Sequence, residues 1–355
     1  MRAPATDVLI RGAGPVGCAL ALALHAAGIR VALHEREARP SAASFRPIAL
    51  SYASRLILER VGVWDALAPT PIETVHVSQA GGFGRTRLEA TDAGVPALGY
   101  VVEYADLAAA LRGQVGESGV ERVDRDIAAR CEVHAEGSAP DAEEKPCAQH
   151  ALVALVELAD PAGTTAYERF TANGPLAMLP LRGRYAIVWS TRPEHARALA
   201  GAAEAEFLAE LAATAGSHPG RPVAVQARAV HPLALRVRSA RVATRAVYIG
   251  NAAQTLHPVA GQGLNLGLRD ALDLAQILRE APDPGDAGTL ARYASLRRLD
   301  AEATVRVTDL LAGAFLGTGR IARAARGLAL TALDVLPAPR RFFARRMIYG
   351  PSALP

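Results

Sequence analysis

The first hydrophobic run of the chain is short and leads directly into glycines. Val8-Leu9-Ile10 lies between Asp7 and a glycine cluster, which predicts a buried strand. The Ala/Leu-rich stretch 15–27 ends at Gly28 and predicts a helix with a glycine cap, and 29–34 predicts a second strand. The chain therefore opens with a βαβ unit.

The rest of the chain alternates between helical and strand-like patterns, which is typical of a mixed α/β protein. Helices are predicted at 51–61, 106–115 and 204–214, and from Leu264 onwards. Strand-like pieces lie within 71–100 and at 151–157, 167–171, 185–189 and 246–250. The segment 116–149 is polar and weakly periodic, whereas 289–348 is mostly helical and rich in arginine.

The composition is that of a globular protein. Of the 355 residues, 50% are hydrophobic and 21% are charged, which excludes a disordered chain. At about 150 residues per domain, this length indicates two domains, or one large domain with an insertion. The cysteines Cys18, Cys131 and Cys147 are too few and too widely spaced for a disulfide framework or a metal motif, and they favour a reducing compartment. A net charge of +4 is too small to indicate nucleic-acid binding.

No signal peptide or membrane-spanning segment is predicted. Residues 1–7 lack a basic region that precedes an apolar core, and the longest candidate span, 310–336, is interrupted by Arg320, Arg323 and Arg326. We therefore expect a cytoplasmic protein, or one that lies on a membrane without crossing it. The C-terminal arginines fit either a basic amphipathic helix at an anionic membrane or an ordinary solvated helix face.

The first candidate binding motif is Gly12-Ala13-Gly14-Pro15-Val16-Gly17, between the predicted strand and helix. Glycines in this setting allow a tight turn, close approach of the backbone to a pyrophosphate, and close helix–strand packing. The helix N-terminus attracts the phosphates, and Glu35 ends the second strand, where an acid can bind a ribose. The motif indicates dinucleotide binding without separating FAD from NAD. A glycine-rich turn without a ligand is the alternative.

A longer motif runs over residues 248–270 and combines a strand, a glycine-rich loop and a helix start. Gly261 and Gly263 let the backbone pass close to a flat ligand, and the N-terminus of the helix from Leu264 suits an anionic reduced flavin. This motif resembles the second FAD-binding motif of aromatic-hydroxylase flavoproteins. It is most similar to that of the ubiquinone-biosynthesis hydroxylases, especially the branch acting on 2-polyprenyl-6-methoxyphenol, which shares Asn251 and Gln254.

Shorter segments extend the resemblance over most of the chain, namely 46–50, 101–103, 167–170, 174–180 and 304–309. The resemblance implies an α/β fold: a glutathione-reductase-type, Rossmann-like FAD-binding domain, an inserted and mostly antiparallel substrate domain, and C-terminal helices. The expected FAD domain comprises 1–75, 100–150 and 240–282. The substrate domain comprises 76–99 and 151–239, and the helical region 283–355.

The resemblance also implies the chemistry. FAD is the expected cofactor and NAD(P)H the co-substrate that reduces it. A flavin C4a-hydroperoxide formed with O2 then hydroxylates the ring of a prenylated methoxyphenol in ubiquinone biosynthesis. Other ubiquinone-biosynthesis enzymes and the inner face of a membrane are further expected partners, and nucleic acid is not.

The expected site residues follow from the positions that match the family. Gly12, Gly14, Pro15, Val16, Gly17, Glu35 and Arg36 would hold the ADP half of FAD, Arg46 would lie near the flavin, and Asn251 would approach the pyrophosphate or ribityl chain. Pro258, Gly261, Gln262, Gly263, Leu264 and Asn265 would line the isoalloxazine. The catalytic candidates are His257 and Pro258. His257 could orient the phenol or relay its proton, or be a structural loop histidine, and Pro258 would shape the loop at the flavin edge. No metal site is predicted.

One segment departs from the family pattern. The family carries an Ala-Asp-Gly-x-x-Ser stretch whose Asp helps to hold FAD, and strands precede it. Here the nearest match is Ala135-Glu136-Gly137-Ser138, and the region is a few tens of residues short. Either the preceding strands are lost and Glu136 replaces the Asp, or this segment does not bind FAD in the family manner.

Three alternatives to the main prediction follow. The chain could hydroxylate another aromatic compound with FAD. It could instead be a non-catalytic paralogue with weakened FAD binding that serves as a complex partner, which the short segment favours and the long second motif disfavours. It could also be an NAD-dependent dehydrogenase that uses the first motif alone.

Overall fold

The computed structural model describes residues 6–35, 45–137, 143–160, 163–255, 261–298 and 319–350. Within these ranges the helices are α1 (Pro15–Ala26), α2 (Tyr52–Arg60), α3 (Ala90–Ala93), α4 (Tyr104–Ser118), α5 (Pro193–Gly201), α6 (Glu204–Ala215), α7 (Gln262–Arg279), α8 (287–298), α9 (Arg320–Val335) and α10 (Pro337–Tyr349). The strands are β1 (Thr6–Arg11), β2 (Val31–His34), β3 (Pro47–Ser51), β4 (Thr70–Ile72), β5 (Thr74–Gln79), β6 (Arg85–Glu89), β7 (Gly99–Glu103), β8 (Glu121–Val123), β9 (Ala129–His134), β10 (Glu143–Leu158), β11 (Thr165–Thr171), β12 (Gly174–Leu181), β13 (Arg184–Thr191), β14 (Pro222–Val237), β15 (Val242–Ala243), β16 (Ala246–Tyr248) and β17 (Gln254–Thr255).

A six-stranded sheet in the order β15-β16-β9-β1-β2-β8 forms the first layer. All of its strand pairs are parallel except the β15–β16 pair at one edge. Its strands are short apolar runs because both faces are covered by helices. One cluster joins Val8 and Val133 of the sheet to Leu20 of α1, Leu107 of α4 and Leu274 of α7.

The chain reverses direction across this sheet between β1 and β9. From β1 it proceeds to β2 and β8 on one side, and β9 and β16 then lie on the other side. In open parallel sheets, ligands bind outside the carboxyl ends of the strands at such a switch point. The residues that follow β1, β9 and β16 are therefore the ones to examine for a site.

An eight-stranded sheet in the order β17-β14-β10-β13-β12-β11-β5-β6 forms the second layer. It is antiparallel except for the β11–β5 pair. A small antiparallel sheet, β3-β7-β4, lies against it, because Ile72 and Val101 share a buried cluster with Leu155, Ala166 and Leu181. We call the face that carries this cluster the inner face of the large sheet.

The other face of the large sheet, called the outer face, is packed by α5 and α6. Trp189, Ile187 and Met178 alternate with the inner-face residues and are buried with Phe207 of α6 and Leu199 of α5. Each strand thus divides its side chains between two environments, as period-two alternation requires. The outer face forms a closed hydrophobic core.

Several elements differ from those predicted. The long strand β14 was not predicted, since Pro222 and Pro232 and interleaved polar residues mask its alternation. The weakly periodic segment 116–149 holds β8, β9 and the start of β10. Helix α3 lies within 71–100, where only short strand-like pieces were predicted, and a capping box between Glu89 and Asp92 stabilises its start. The predicted domain limits stay a prediction.

None of the helices within the described ranges is both long and apolar enough to span a lipid bilayer.

Glu168 makes the stability of this fold depend on pH. It lies on the inner face of β11, opposite Val77 and Ala177, and burial raises its pKa to about 7 from 4.5. Between these two pH values the folded protein keeps a proton that the unfolded chain has lost, so stability falls as pH rises through this window. The shift corresponds to about 3 kcal/mol at most.

We therefore expect Glu168→Gln to lack this pH dependence and to be more stable than the natural protein at pH 8, by about 2–3 kcal/mol. Urea unfolding at pH 5 and pH 8 measures it. Glu117→Gln, at an exposed position on α4, is the control and should behave like the natural protein. An unchanged pH dependence in Glu168→Gln would contradict the role of this carboxyl.

Candidate functional site

The loop after β1 is built around two glycines that no other residue can replace. Gly12 has a φ of +107°, and a Cβ there would lie 2.8 Å from the backbone of Ala135 and Glu136. A Cβ on Gly17 would lie 2.0 Å from the carbonyl oxygen of Gly12. These glycines bring the loop, α1 and the end of β9 into direct backbone contact.

Gly14, the N-cap residue of α1, is different because a Cβ there would meet no protein atom within 4 Å. Pro15 occupies the first helical position, and the first turn has no acidic side chain. The first N–H groups of α1 therefore face open space without a side-chain cap, which is the arrangement that binds phosphate groups.

Glu35 directly follows β2, at the carboxyl end where the sequence placed a ribose-binding acid. Its backbone N–H donates to Val123 of β8, and its carboxylate accepts a hydrogen bond from Arg122 at 2.8 Å. Arg122 therefore orients the carboxylate at the rim of the crevice. Arg36 lies outside the described residues.

The shortened segment joins β8 directly to β9 through residues 124–128. β9 then pairs with β1 and β16, and the N–H of Ala135 donates to Arg11. This path places Glu136 beside Gly12 at the switch point, with its carboxylate 3.4 Å from His134. Glu136 therefore lies just after the carboxyl end of β9, beside the glycine-rich loop, and its role toward FAD stays a prediction.

The second motif begins where β16 ends, and it interlocks with the first. The N–H of Ile249 donates to His134 of β9. A Cβ on Gly250 would lie 3.2 Å from Val16 of α1, and one on Gly267 of α7 would lie 2.7 Å from it. Val16 therefore fills the space that these two glycines leave. Asn251 follows Gly250 in a short 3₁₀ turn, so it lies beside the first loop.

The N-terminus of α7 is positioned by backbone contacts. Its N-cap residue Gly261 has a φ of +60° and lies against Ala49 of β3, whose Cβ would be 3.3 Å from a Cβ added to Gly261. Gln262 begins the helix, a Cβ on Gly263 would meet no protein atom within 4 Å, and Leu264 packs against the main core. A flat ligand can therefore approach the backbone at Gly263.

Asn265 uses its side chain to fasten α7 to β3. Its amide oxygen accepts hydrogen bonds from the Ser51 backbone at 2.8 Å and the Ser54 hydroxyl at 2.7 Å. Its amide nitrogen donates to Ala49 at 2.9 Å and Gly261 at 2.7 Å. These bonds use the whole hydrogen-bonding capacity of the amide. Its side chain thus positions the site, and only its backbone is left for a ligand.

Asp270 is a functional residue to which the sequence analysis gave no role. Its carboxylate, fully buried, accepts hydrogen bonds from the Gly250 N–H at 3.1 Å, the Gln254 amide at 3.3 Å and Arg297 of α8 at 2.7 Å. Arg241 lies 3.7 Å away. The available signal was a charged residue at a helix position that the apolar spacing of 266, 268, 271 and 274 marks as buried.

Arg46 lies directly before β3, and its guanidinium stacks over the Tyr104 ring at 4.7 Å. Burial lowers the pKa of His231, and the positive charge of Arg46 lowers it further. His231 belongs to the inner face of β14, opposite Ala151. Arg46 therefore carries its charge near the inner face of the large sheet, where the second motif and β14 meet.

The catalytic candidates His257 and Pro258 lie outside the described residues. Among the residues that are described, no group of three or more His, Cys, Asp or Glu side chains is arranged to hold a metal ion. Cys18 and Cys131 are buried in the core, and burial raises the pKa of each thiol to about 12.

Comparison with known proteins gives the class of the protein. The model of the FAD binding domain family matches residues 5–126 and 131–308. A structure of PqsL from Pseudomonas aeruginosa, described as a probable FAD-dependent monooxygenase, superposes with a TM-score of 0.74 at 21% identity and covers 90% of this chain and 98% of that one. The fold and site thus define a FAD-binding protein of the Rossmann-like α/β type.

Two curated relatives narrow this class. Ubiquinone hydroxylase UbiL of Rhodospirillum rubrum is 31% identical over 96% of this chain and 88% of its own length. The 3-demethoxyubiquinol 3-hydroxylase of Escherichia coli K12 is 31% identical over 82% of this chain and 84% of its own length. The chain therefore belongs to the family of FAD-dependent aromatic hydroxylases that includes the ubiquinone-biosynthesis hydroxylases. The predicted fold class, FAD and the enzyme class are confirmed.

The buried Asp270 cluster yields a stability prediction. Asp270→Ala leaves the Arg297 guanidinium, whose side chain is 3% exposed, without its buried carboxylate, and it deprives the Gly250 N–H of its acceptor. Breaking a buried pair on one side costs about 3–5 kcal/mol. We expect a loss of this size in urea unfolding.

Asp273→Ala is the matched control. Its carboxylate bonds another nitrogen of Arg297 but is 29% exposed, so we expect a loss of about 1 kcal/mol. Equal losses of unfolding free energy in the two variants would show that Asp270 contributes no more to stability than Asp273.

Proposed function

We propose that this protein hydroxylates the ring of a prenylated methoxyphenol, with NAD(P)H as the reductant and O2 as the oxygen donor. The printed activities of the two curated relatives, which act on ubiquinone and on 3-demethoxyubiquinol, support this substrate class. The observation that carries the proposal is the convergence of the loops after β1, β9 and β16 with the N-terminus of α7. The second motif, 248–270, thereby lies against the first, 12–17. NAD-dependent dehydrogenases do not need this second motif.

The residues at this convergence fit FAD. Gly14 and Gly263 each leave open space where a Cβ would stand, one at the N-terminus of α1 and the other at that of α7. We assign the pyrophosphate to the N–H groups of α1 and the ribose to Glu35. Gly12, Pro15, Val16 and Gly17 shape that loop, and Asn251 lies next to the pyrophosphate or ribityl chain.

The flavin end of the site would be formed by backbone and by Arg46. Gly261, Gln262, Gly263, Leu264 and Asn265 would line the isoalloxazine, and the positive end of α7 would favour negative charge on it. Bound FAD supplies the redox chemistry that the side chains lack. His257 and Pro258 keep their proposed roles, to hold or relay the phenol proton and to shape the loop, and Arg36 its role beside the adenosine.

The inner face of the large sheet suits an apolar ring. Ala177, Leu179, Val188 and Ala229 lie on this face and are only partly buried, unlike the fully packed residues of the outer face. Small apolar side chains that remain accessible beside a buried cluster form the wall of an apolar pocket. Such a wall excludes water from the reacting ring and accommodates a prenyl chain.

The test of the proposed function is direct. The purified protein should carry the visible absorption of bound FAD, and a methoxyphenol should stimulate its NAD(P)H oxidation and gain one oxygen atom, as mass spectrometry would show. Stimulation only by unrelated aromatic compounds would favour another substrate. Absence of FAD uptake would overturn the proposed function.

Two glycine substitutions separate cofactor binding from folding. Gly14→Ala puts a methyl group where the pyrophosphate is expected but meets no protein atom, so we expect FAD to bind at least tenfold more weakly with little change in Tm. Gly17→Ala meets the Gly12 oxygen and should lower the Tm, although Ala favours helices by about 1 kcal/mol. FAD titration and thermal unfolding measure the two effects.

Gly113→Ala on α4, where an added Cβ also meets no protein atom, is the control and should leave FAD affinity unchanged. Normal FAD binding by Gly14→Ala would place the pyrophosphate elsewhere.

We also infer that α9 and α10 dock on an anionic membrane surface. Leu328, Val335 and Phe342 are 64–68% exposed, and the exposed Arg341 and Arg345 flank Phe342. Exposed apolar side chains beside arginines are typical of surfaces that enter the headgroup region of a bilayer. A prenylated substrate resides in the bilayer, so an enzyme that docks on the membrane through this surface could collect it there.

Replacing Leu328, Val335 and Phe342 together by serine should reduce co-sedimentation with phosphatidylglycerol vesicles at least tenfold, and high salt should weaken binding by the natural protein. The control is Val223→Ser, at an exposed position on β14. Equal sedimentation of the triple variant would contradict membrane docking through these helices.

A further inference from the structure

A cleft of about 690 Å³ lies on the outer face of the large sheet, away from the FAD crevice. Its floor is formed by His76 and Ser78 of β5 and Arg169 of β11, which share the outer face with Tyr167. Arg85 of β6, His218 after α6 and Asp334 of α9 complete the wall. None of these residues has a role in the proposed hydroxylation.

The wall of the cleft is closed by tight contact between the β5–β6 turn and α9. Gly84 has a φ of +91°, and a Cβ there would lie 2.3 Å from the carbonyl oxygen of Gly327. The buried amide of Gln79 donates to the carbonyl oxygens of Phe83 and Arg323, which ties the turn to the first turn of α9. The cleft is therefore a built feature in which strand, turn and helix are held together.

The cleft holds positive charge without matching negative charge. Among the described residues, no carboxylate pairs with Arg169 or Arg85, and Asp334 is the one acid in the lining. Arg169 donates to the Ser78 hydroxyl at 3.3 Å, yet its Nε is buried and has no hydrogen-bond partner. Gly216 lies against the guanidinium, since a Cβ there would be 3.2 Å from its Cζ. The protein thus holds this guanidinium in place without a carboxylate partner among the described residues, so its positive charge is available to an anion in the cleft.

Two histidines extend the cationic wall. The rings of His76 and His218 are 4.8 Å apart, and His76 is 7% exposed. Burial lowers the pKa of His76, and the charges of His218, Arg85 and Arg87 lower it further, while Asp334 opposes them. An anion bound beside His76 would oppose this effect and favour its protonated form.

We propose that this cleft binds a small phosphate-bearing molecule, with its phosphate group held by Arg169, Arg85, His76 and His218. The planar guanidinium of Arg169 offers paired donors to phosphate oxygens, and the histidines add donors once protonated. The ligand is a free small molecule, because its recognition groups lie on the floor of the cleft, on β5 and β11, beside α9.

Binding to this site would take up protons. The charged and titratable groups around His76 are Arg85 and Arg87 of β6, Tyr167 and Arg169 of β11, His218, and Asp334 and Arg323 of α9. Since the empty site disfavours His76 protonation and a bound phosphate favours it, affinity should rise as the pH falls from 8 to 6.

The experiment is calorimetric titration of inorganic phosphate and pyrophosphate into the FAD-loaded full chain, so that the pyrophosphate position at α1 is already filled. We expect Arg169→Gln to weaken binding at least tenfold. Arg85→Gln, at an exposed position that folding tolerates, should weaken it at least threefold. Arg87→Gln is the matched control on the same strand, because its guanidinium pairs with Glu89 at 3.6 Å and does not line the cleft, and it should change affinity less than twofold.

The pH arm uses buffers with different ionisation enthalpies to count the protons taken up. His76→Gln should reduce this uptake relative to the natural protein, a comparison in which the ionisation of the phosphate itself cancels. Undetectable binding of both anions at millimolar concentration and low salt, or equal affinity in the Arg169 and Arg87 variants, would overturn the proposal. Binding to phosphatidate vesicles without binding of free phosphate would also overturn it, because the ligand would then be a lipid headgroup.

Discussion

The site rests on one buried carboxylate. Asp270 joins four parts of the chain: the end of β16 through Gly250, the start of β17 through Gln254, α7 to which it belongs, and α8 through Arg297. A charge in the core is tolerated only when its hydrogen bonds are satisfied, and an incomplete set costs several kcal/mol. This requirement fixes the path of the backbone within the second motif, where Gly250 and Gln254 are held against α7. The turn that follows β16 and the start of β17 are therefore held against α7 and α8.

A second constraint is that the two faces of the large sheet differ in how their side chains are packed. On the outer face, large side chains such as Trp189 pack with Phe207 of α6 and with α5 in a closed core. The inner face keeps small side chains and two unusual titratable residues, Glu168 and His231, whose pKa values burial shifts towards the neutral forms. A surface that holds neutral groups and small apolar side chains offers little competition to an aromatic substrate. The outer face thus supplies stability, and the proposed substrate would use the inner face of the same strands.

The sequence predicted the parts of this protein that depend on local pattern. The βαβ unit, the helix after the second motif and the glycine-rich turn after β1 follow from spacing and from backbone requirements that are local. Strand β14 could not be predicted, because its pairing with β10 across many residues overrides the prolines and polar residues within it. The partners of Asp270 and Asn265 were equally hidden, since they come from distant segments that only the fold brings together. Glu136 lies beside Gly12 because β9 pairs with β1, and this long-range pairing has no local signal in the sequence.

Val16 gives the cofactor site a property that neither motif has by itself. Its methyl groups occupy the space left by Gly250 and Gly267, so the N-terminus of α1 and that of α7 belong to one rigid body although they are far apart in the sequence. The distance between the N-terminus of α1, proposed for the phosphates, and that of α7, proposed for the flat ring, is consequently fixed when the chain folds. Under the proposed function, an extended dinucleotide would meet both helix N-termini at once, and their mutual position would need no further ordering on binding.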